Sequence, residues 1–299
     1  MPEVPITIVR RLPPAVVLVL AATVVGCGPA RVAGPLPDAA AAAALRASLT
    51  SGESAGAAAE EVVSGTGWGS LTGRFVFVGT TGERRILSVN KDTEVCSKDG
   101  MKLYDNSLRV DPASNGLADV VIFVRKSRRV KNPVSTEQLV FDQKNCEFLS
   151  PVFAARVGQP IDVRNSDPIG HNTNVSGSSF NQLIPAGDGT IFTPNRETGM
   201  PVSVTCNIHP WMKAYAVFRD DGYVAVSAAD GSFTISDLPA GEPLEFQVWH
   251  ARSLGPNGGL GLEKPELKWS SKGRFEITLE PDQVRDLGTL EVPAAALGG

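Results

Sequence analysis

Cys206, His209 and Met212 lie at three-residue intervals in Val-Thr-Cys-Asn-Ile-His-Pro-Trp-Met-Lys-Ala-Tyr, residues 204–215. A thiolate, an imidazole and a thioether so close together form a soft donor set. Such sulfur ligands beside imidazole select copper, and a trigonal set of two His and one Cys with a weak axial Met is the blue-copper electron-transfer geometry. The loop lacks one imidazole. His171 offers it, following an alternating stretch at 157–163 that breaks into a turn at 165–170. The expectation is that His171, Cys206, His209 and Met212 bind one copper ion. Zinc is the competing metal, although it prefers Cys, His and carboxylate donors and takes Met poorly. A metal-free domain, with Cys206 in a disulfide and the His and Met as packing, is the other alternative.

The elements that must position these residues read as strands. Aromatic residues make up only 6% of the 299, Gly and Pro are frequent, and short runs of Val, Ile and Thr recur between turn residues, which is all-β composition. Strand patterns fall at 71–78, 85–89, 107–110, 118–125, 138–141, 152–163, 180–185, 190–193, 201–205 and 215–218. A second succession, with its own Asp-Gly and Leu-Pro-Ala-Gly turns, runs through 223–227, 232–236, 244–250, 274–279 and 289–292. The formal charge of −4 is spread over both signs, so no basic face for nucleic acid is expected. One dense basic cluster, residues 125–129, reads as a solvated hairpin tip, with a docking site for an acidic redox partner as the alternative.

The ligand loop and the His171-Asn172 pair resemble the cupredoxins, in particular the plastocyanin-like and amicyanin-like blue-copper proteins. That resemblance implies a Greek-key β-sandwich over 67–219 carrying a single type-1 copper. It also implies that Asn172 orients the ligand loop, a role that neighbours of metal ligands commonly fill. Pro210 belongs to the same surroundings. At the position before the second ligand His, where the family often has Pro, this chain has Ile208, which leaves an additional N–H near the thiolate. The family further implies that electrons leave through an exposed His209 edge, with Pro210 and Trp211 forming an apolar rim for transient redox partners; core packing is the alternative for Trp211. The motifs Asp230-Gly231-x-Phe233 and Leu238-Pro-x-Gly241 resemble the small transthyretin-like or carboxypeptidase-regulatory-like sandwiches, which sets a second, smaller β-sandwich at 220–295.

Residues 1–26 read as an export signal, with Arg10 and Arg11 ahead of an apolar core at 15–25. The Val-Val-Gly-Cys that closes it looks like a bacterial lipobox, so Cys27 is the expected lipid attachment point. An ordinary signal peptide or an uncleaved anchor are the alternatives. Residues 27–66, rich in Ala, Gly and Ser, form the tether, with a short helix possible at 38–49. The molecule is therefore expected on the periplasmic side of the envelope, with the outer membrane preferred. Of four cysteines, Cys96 and Cys146 remain, and in an oxidising compartment they most simply pair.

Only three histidines are present, too few for a multicopper cluster, and a binuclear copper site would need a second loop cysteine. His250 is the spare. No Ser-His-Asp arrangement, phosphate-binding Gly-rich loop or paired-carboxylate motif appears, so an enzyme is not expected. The expected function is one-electron transfer between redox partners in the envelope. The alternative is copper binding and delivery, or a surface binding module with no electron-transfer role.

Overall fold

The computed structural model describes Ala40, which is helical, and residues 65–298. The export signal, Cys27 and nearly all of the tether lie outside the described residues. Sixteen strands follow in order: β1 (Trp68–Val78), β2 (Val121–Val124), β3 (Leu139–Lys144), β4 (Glu147–Phe148), β5 (Val152–Arg156), β6 (Ile161–Asn165), β7 (His171–Val175) and β8 (Asn181–Ile184). Then come β9 (Gly189–Phe192), β10 (Val202–Thr205), β11 (Lys213–Arg219), β12 (Val224–Val226), β13 (Ser232–Pro239), β14 (Pro243–Trp249), β15 (Arg274–Thr278) and β16 (Val284–Pro293). One α-helix of a single turn, α1 (Thr93–Cys96), lies between β1 and β2. Among the described residues no helix is long and apolar enough to cross a membrane.

The strands form two all-β sandwiches. In the first, a sheet ordered β5-β11-β10-β7-β8 faces one ordered β4-β3-β6-β9. Phe141, Phe148, Ile161, Val163, Phe192, Val204 and Phe218 fill the space between them. In the second, β13-β1-β16 faces β12-β2-β14-β15, over a core that includes Leu71, Phe75, Ile122, Phe246 and Leu290.

The domain boundary differs from the one expected at 219/220. β1 and β2 precede the metal-site segments in sequence but belong to the second sandwich. β1 sits between β13, antiparallel, and β16, parallel, and β2 sits between β12 and β14. Without β1 the C-terminal strands would lack Leu71, Phe75 and Phe77 and leave β13 and β16 with unpaired edges, a state sheets avoid. Gly231 marks the same fit. It has φ +86, and a Cβ there would lie 2.0 Å from the Phe75 carbonyl oxygen, so the Asp-Gly turn is also what lets β1 approach.

Side chains alternate across a strand, and that alternation welds the two sandwiches. Ile122 and Val124 of β2 point into the second core, while Val121 and Phe123 join Val152, Val217 and Trp249 in a seam between the sandwiches. Arg219, 2% exposed, crosses this seam. Its guanidinium donates to the carbonyls of Val124 (2.9 Å), Arg125 (2.8 Å) and Thr198 (3.1 Å), and it stacks over the Phe123 ring.

Two expected strands, 85–89 and 107–110, are absent as such. Only the isolated bridges Ile86–Tyr104 and Val110–Leu117 occur there. Leu87, Val89, Leu108 and Val110 pack partly buried on the two cores, but their backbones pair with no neighbouring strand beyond these bridges. The region is instead fixed by the Cys96–Cys146 disulfide, with Cα atoms 5.3 Å apart. The basic cluster is partly neutralised: Arg125 pairs with Glu245, and Arg129 reaches Glu242 at 2.7 Å.

Candidate metal centre

β6 ends at Asn165, whose side-chain amide donates to the carbonyls of Ile169, Ile184 and Pro185 and so fixes the turn that follows. His171 is the first residue of β7 on the far side of that turn, rather than the last of the preceding strand. β10 and β11 are adjacent antiparallel strands, with Thr205 opposite Lys213. The loop between them is closed by two backbone bonds, Met212 N–H to the His209 carbonyl (2.9 Å) and Cys206 N–H to the Met212 carbonyl (3.3 Å). Because β10 also pairs with β7, the loop and His171 are brought to one end of the same sheet.

One nitrogen from each of His171 and His209 and the sulfur of Cys206 lie within 4.8 Å of one another, and all three side chains are buried. The two Nδ1 atoms are 2.8 Å apart, and Cys206 Sγ lies 3.8 Å from His209 Nδ1. The outer nitrogens meet carboxylates. His171 Nε2 is 2.7 Å from Asp167 Oδ2, and His209 Nε2 is 2.7 Å from Asp92 Oδ2. Each carboxylate accepts the hydrogen bond of an Nε2–H, which turns both Nδ1 atoms inward. Two lone pairs at that separation repel unless a cation, either a proton or a metal ion, sits with them.

The donor set fits copper: two imidazoles and a thiolate, with Met212 buried in the same apolar core as Cys206. A second grouping, Cys146 with Asp167 and His171, has no thiolate to offer, since Cys146 is in the disulfide. It arises because Asp167 accepts the N–H groups of Asn145 and Cys146, both at 2.7 Å.

The electrostatics follow from this wiring. Burial alone would raise the Cys206 thiol, but the His171 imidazole and the N–H groups of Asn172, His209 and Ile208 bring it below its ordinary value. Two of these amides approach the sulfur directly, Asn172 at 3.3 Å and His209 at 3.4 Å. Burial opposes charge on His171, yet the bonds to Asp167 and Cys206 raise it to about 9. His209 moves the other way, lowered first by burial and then by the neighbouring His171 charge, against the pull of Asp92. Burial would raise Asp167 as well, but the His171 imidazole and the two amides hold it below the carboxylate range.

Asn172 bridges the strand and the loop. Its Oδ1 accepts the Asn207 N–H at 3.1 Å, while its Nδ2 donates to Asn181 and to the Gln182 carbonyl. Ile208 packs partly buried on the core and Pro210 is exposed. Trp211 is half-buried, donates its indole N–H to the Cys146 carbonyl at 3.1 Å, and lies 5.1 Å from the His209 ring, centroid to centroid.

The exposed His209 edge is a correction. His209 is 0% exposed, because the segment between β1 and β2 lies across it and delivers Asp92. Neither Asp92 nor Asp167 was singled out from the sequence. Asp167, four residues before His171 in the turn, had a local signal in its spacing; Asp92 is 117 residues from its partner and had none. His250 joins no such grouping among the described residues. It is fully buried, with Nδ1 accepting the Arg252 N–H at 3.2 Å.

No protein-family model and no curated protein matches the chain. Among solved structures, amicyanin from Paracoccus versutus is similar at 17% identity, covering 33% of this chain and 97% of its own, with a TM-score of 0.25. An amicyanin mutant in its Cu(I) form matches at 15% identity over 27% of this chain and 82% of that one, with a TM-score of 0.25. A copper-containing nitrite reductase from Thermus scotoductus SA-01 matches at 16% identity, 31% of this chain and 24% of its own, with a TM-score of 0.26. The metal chemistry rests on the side chains of His171, Cys206 and His209.

Proposed function

We propose that this protein is a type-1 copper protein that passes single electrons between redox partners in the cell envelope, tethered there by a lipid on Cys27. The observation that carries the reading is the convergence of a buried thiol and two inward-facing imidazole nitrogens, each imidazole held from behind by a carboxylate. His171, Cys206 and His209 would hold the ion, with Met212 as the weak fourth ligand. Copper bound there would supply reversible one-electron chemistry. The chain supplies the rest. Amides of Asn172 and His209 hold the sulfur, Asn172 ties the loop to β7, and burial keeps water from the ligands.

The test is titration of the purified protein with Cu(II), read by visible absorption and voltammetry. An intense thiolate-to-copper charge-transfer band and a reversible one-electron wave are expected at one copper per chain. Both should vanish in Cys206→Ser. A colourless, redox-silent copper complex would reject electron transfer in favour of copper storage or delivery, and a Cys206→Ser variant that kept the band would reject the ligand set.

A further inference from the structure

We propose that Asp92 and Asp167 act as a pair of positioning residues that lock both imidazoles with Nδ1 turned inward, and that the Cys96–Cys146 disulfide holds this pair against the site. The proposal rests on the copper reading for its purpose, but its geometry stands independently. Each carboxylate places one oxygen 2.7 Å from the outer nitrogen of a different histidine. Both histidines are completely buried, so each Nε2 depends on its carboxylate for a partner.

The two carboxylates come from distant segments that meet at one crosslink. Asp92 stands immediately before α1, and the last residue of that single turn is Cys96. The amides of Val95 and Cys96 donate to the Asp92 carbonyl, at 3.0 and 2.8 Å, so the disulfide fixes the turn and the turn fixes Asp92. On the other side, Cys146 donates its own N–H to the Asp167 oxygen that holds His171, and its carbonyl accepts the Trp211 indole N–H from the ligand loop. One bridge therefore touches the supports of His171, His209 and the loop. Asp92 is the weaker support, since its side chain is 33% exposed against 4% for Asp167.

Carboxylates behind ligating imidazoles typically change metal affinity by about 10- to 100-fold when removed. The consequence is sharpest at Asp92. Without it the His209 ring loses the partner behind Nε2 that fixes its orientation, so Nδ1 is no longer held toward the site.

The test uses the whole mature chain. Proton and nitrogen NMR of the metal-free protein read the His209 Nε2–H, and titration with Zn(II) and with Cu(I) alone reads affinity. In the wild type that Nε2–H is expected to be hydrogen-bonded and slow to exchange with water. Asp92→Ala is expected to lose the slow exchange and to weaken both metals roughly 10-fold or more. Asp92→Asn, whose side-chain oxygen still accepts, is expected to restore both. The double variant Cys96→Ser/Cys146→Ser is expected to shift the His209 Nε2–H in the same direction as Asp92→Ala. An unchanged Nε2–H signal and exchange in Asp92→Ala would overturn the positioning role, and an unchanged signal in the disulfide variant would overturn the clamp. A wild type that binds neither metal would sink the copper reading, while the metal-free spectra would still judge Asp92.

Discussion

Acidification should weaken the seam side of the molecule through His250. This imidazole is completely buried at the end of β14, its Nδ1 accepts the Arg252 N–H, and its Nε2 has no hydrogen-bond partner. Burial, reinforced by the Arg252 charge and only partly offset by the Ala118 backbone, depresses it from 6.5 to about 4. The folded state thus keeps His250 neutral where the unfolded chain already protonates it. Below 6.5 the unfolded state binds the extra proton, so stability is full at neutral pH and falls as pH drops toward 4. Between pH 7 and pH 4.5 the linkage relation gives a loss of about 2.5 kcal/mol from this one group. The assay is chemical unfolding of the metal-free protein and of His250→Gln at both pH values. Other groups contribute equally to the two proteins, so the pH-dependent difference between them isolates His250, and the variant should lose about 2.5 kcal/mol less on acidification. Parallel profiles would refute the reasoning, because they would mean that the imidazole reaches water or finds a partner when charged.

Two further perturbations test the seam and the loop. Arg219→Met removes a buried cation but leaves Asp221, 6% exposed, and three carbonyls that had accepted its hydrogen bonds. Breaking a buried pair in this way costs about 3–5 kcal/mol, or roughly 6–20 °C in melting temperature for a domain of this size. Differential scanning calorimetry reads it, and a shift of only a degree or two would mean the guanidinium is already solvated. Ile208→Pro deletes an N–H that helps stabilise the Cys206 thiolate. The reduced site carries one more electron and gains more from that dipole, so the loss should lower the reduction potential. A full hydrogen bond, about 1 kcal/mol, corresponds to roughly 40 mV, and this more distant N–H is expected to move the potential by less than that. Voltammetry of the copper-loaded pair checks this, and equal potentials would reject the role of the N–H.

Much of the centre was legible without coordinates, because donor chemistry is a property of residue types. Cys206, His209 and Met212 are close in sequence, and a loop between two paired strands keeps them close in space. His171 could be added because a scarce residue after a strand-like stretch has few other uses here. The all-β class was readable for a similar reason: period-two alternation and turn residues are local signals. Thus residues 201–205 and 232–236 were placed as strands within a few residues of β10 and β13. The short runs at 85–89 and 107–110 misled: their apolar residues do pack on the cores, but no neighbouring strand pairs with their backbones.

Ligand types, strand periodicity and the two cysteines left to pair can be read from the residues in order. That β1 closes a sheet with β13 and β16, that β2 serves two cores at once, and that Asp92 covers His209 emerge only in three dimensions. The first and last of these join segments more than a hundred residues apart. Alternation tells a strand which face to bury but not which neighbour will bury it, and a carboxylate carries no mark of the imidazole it will meet. Those choices are made by the total apolar area that can be withdrawn from water and by the edges left to satisfy, which are properties of the whole assembly of strands rather than of any one of them.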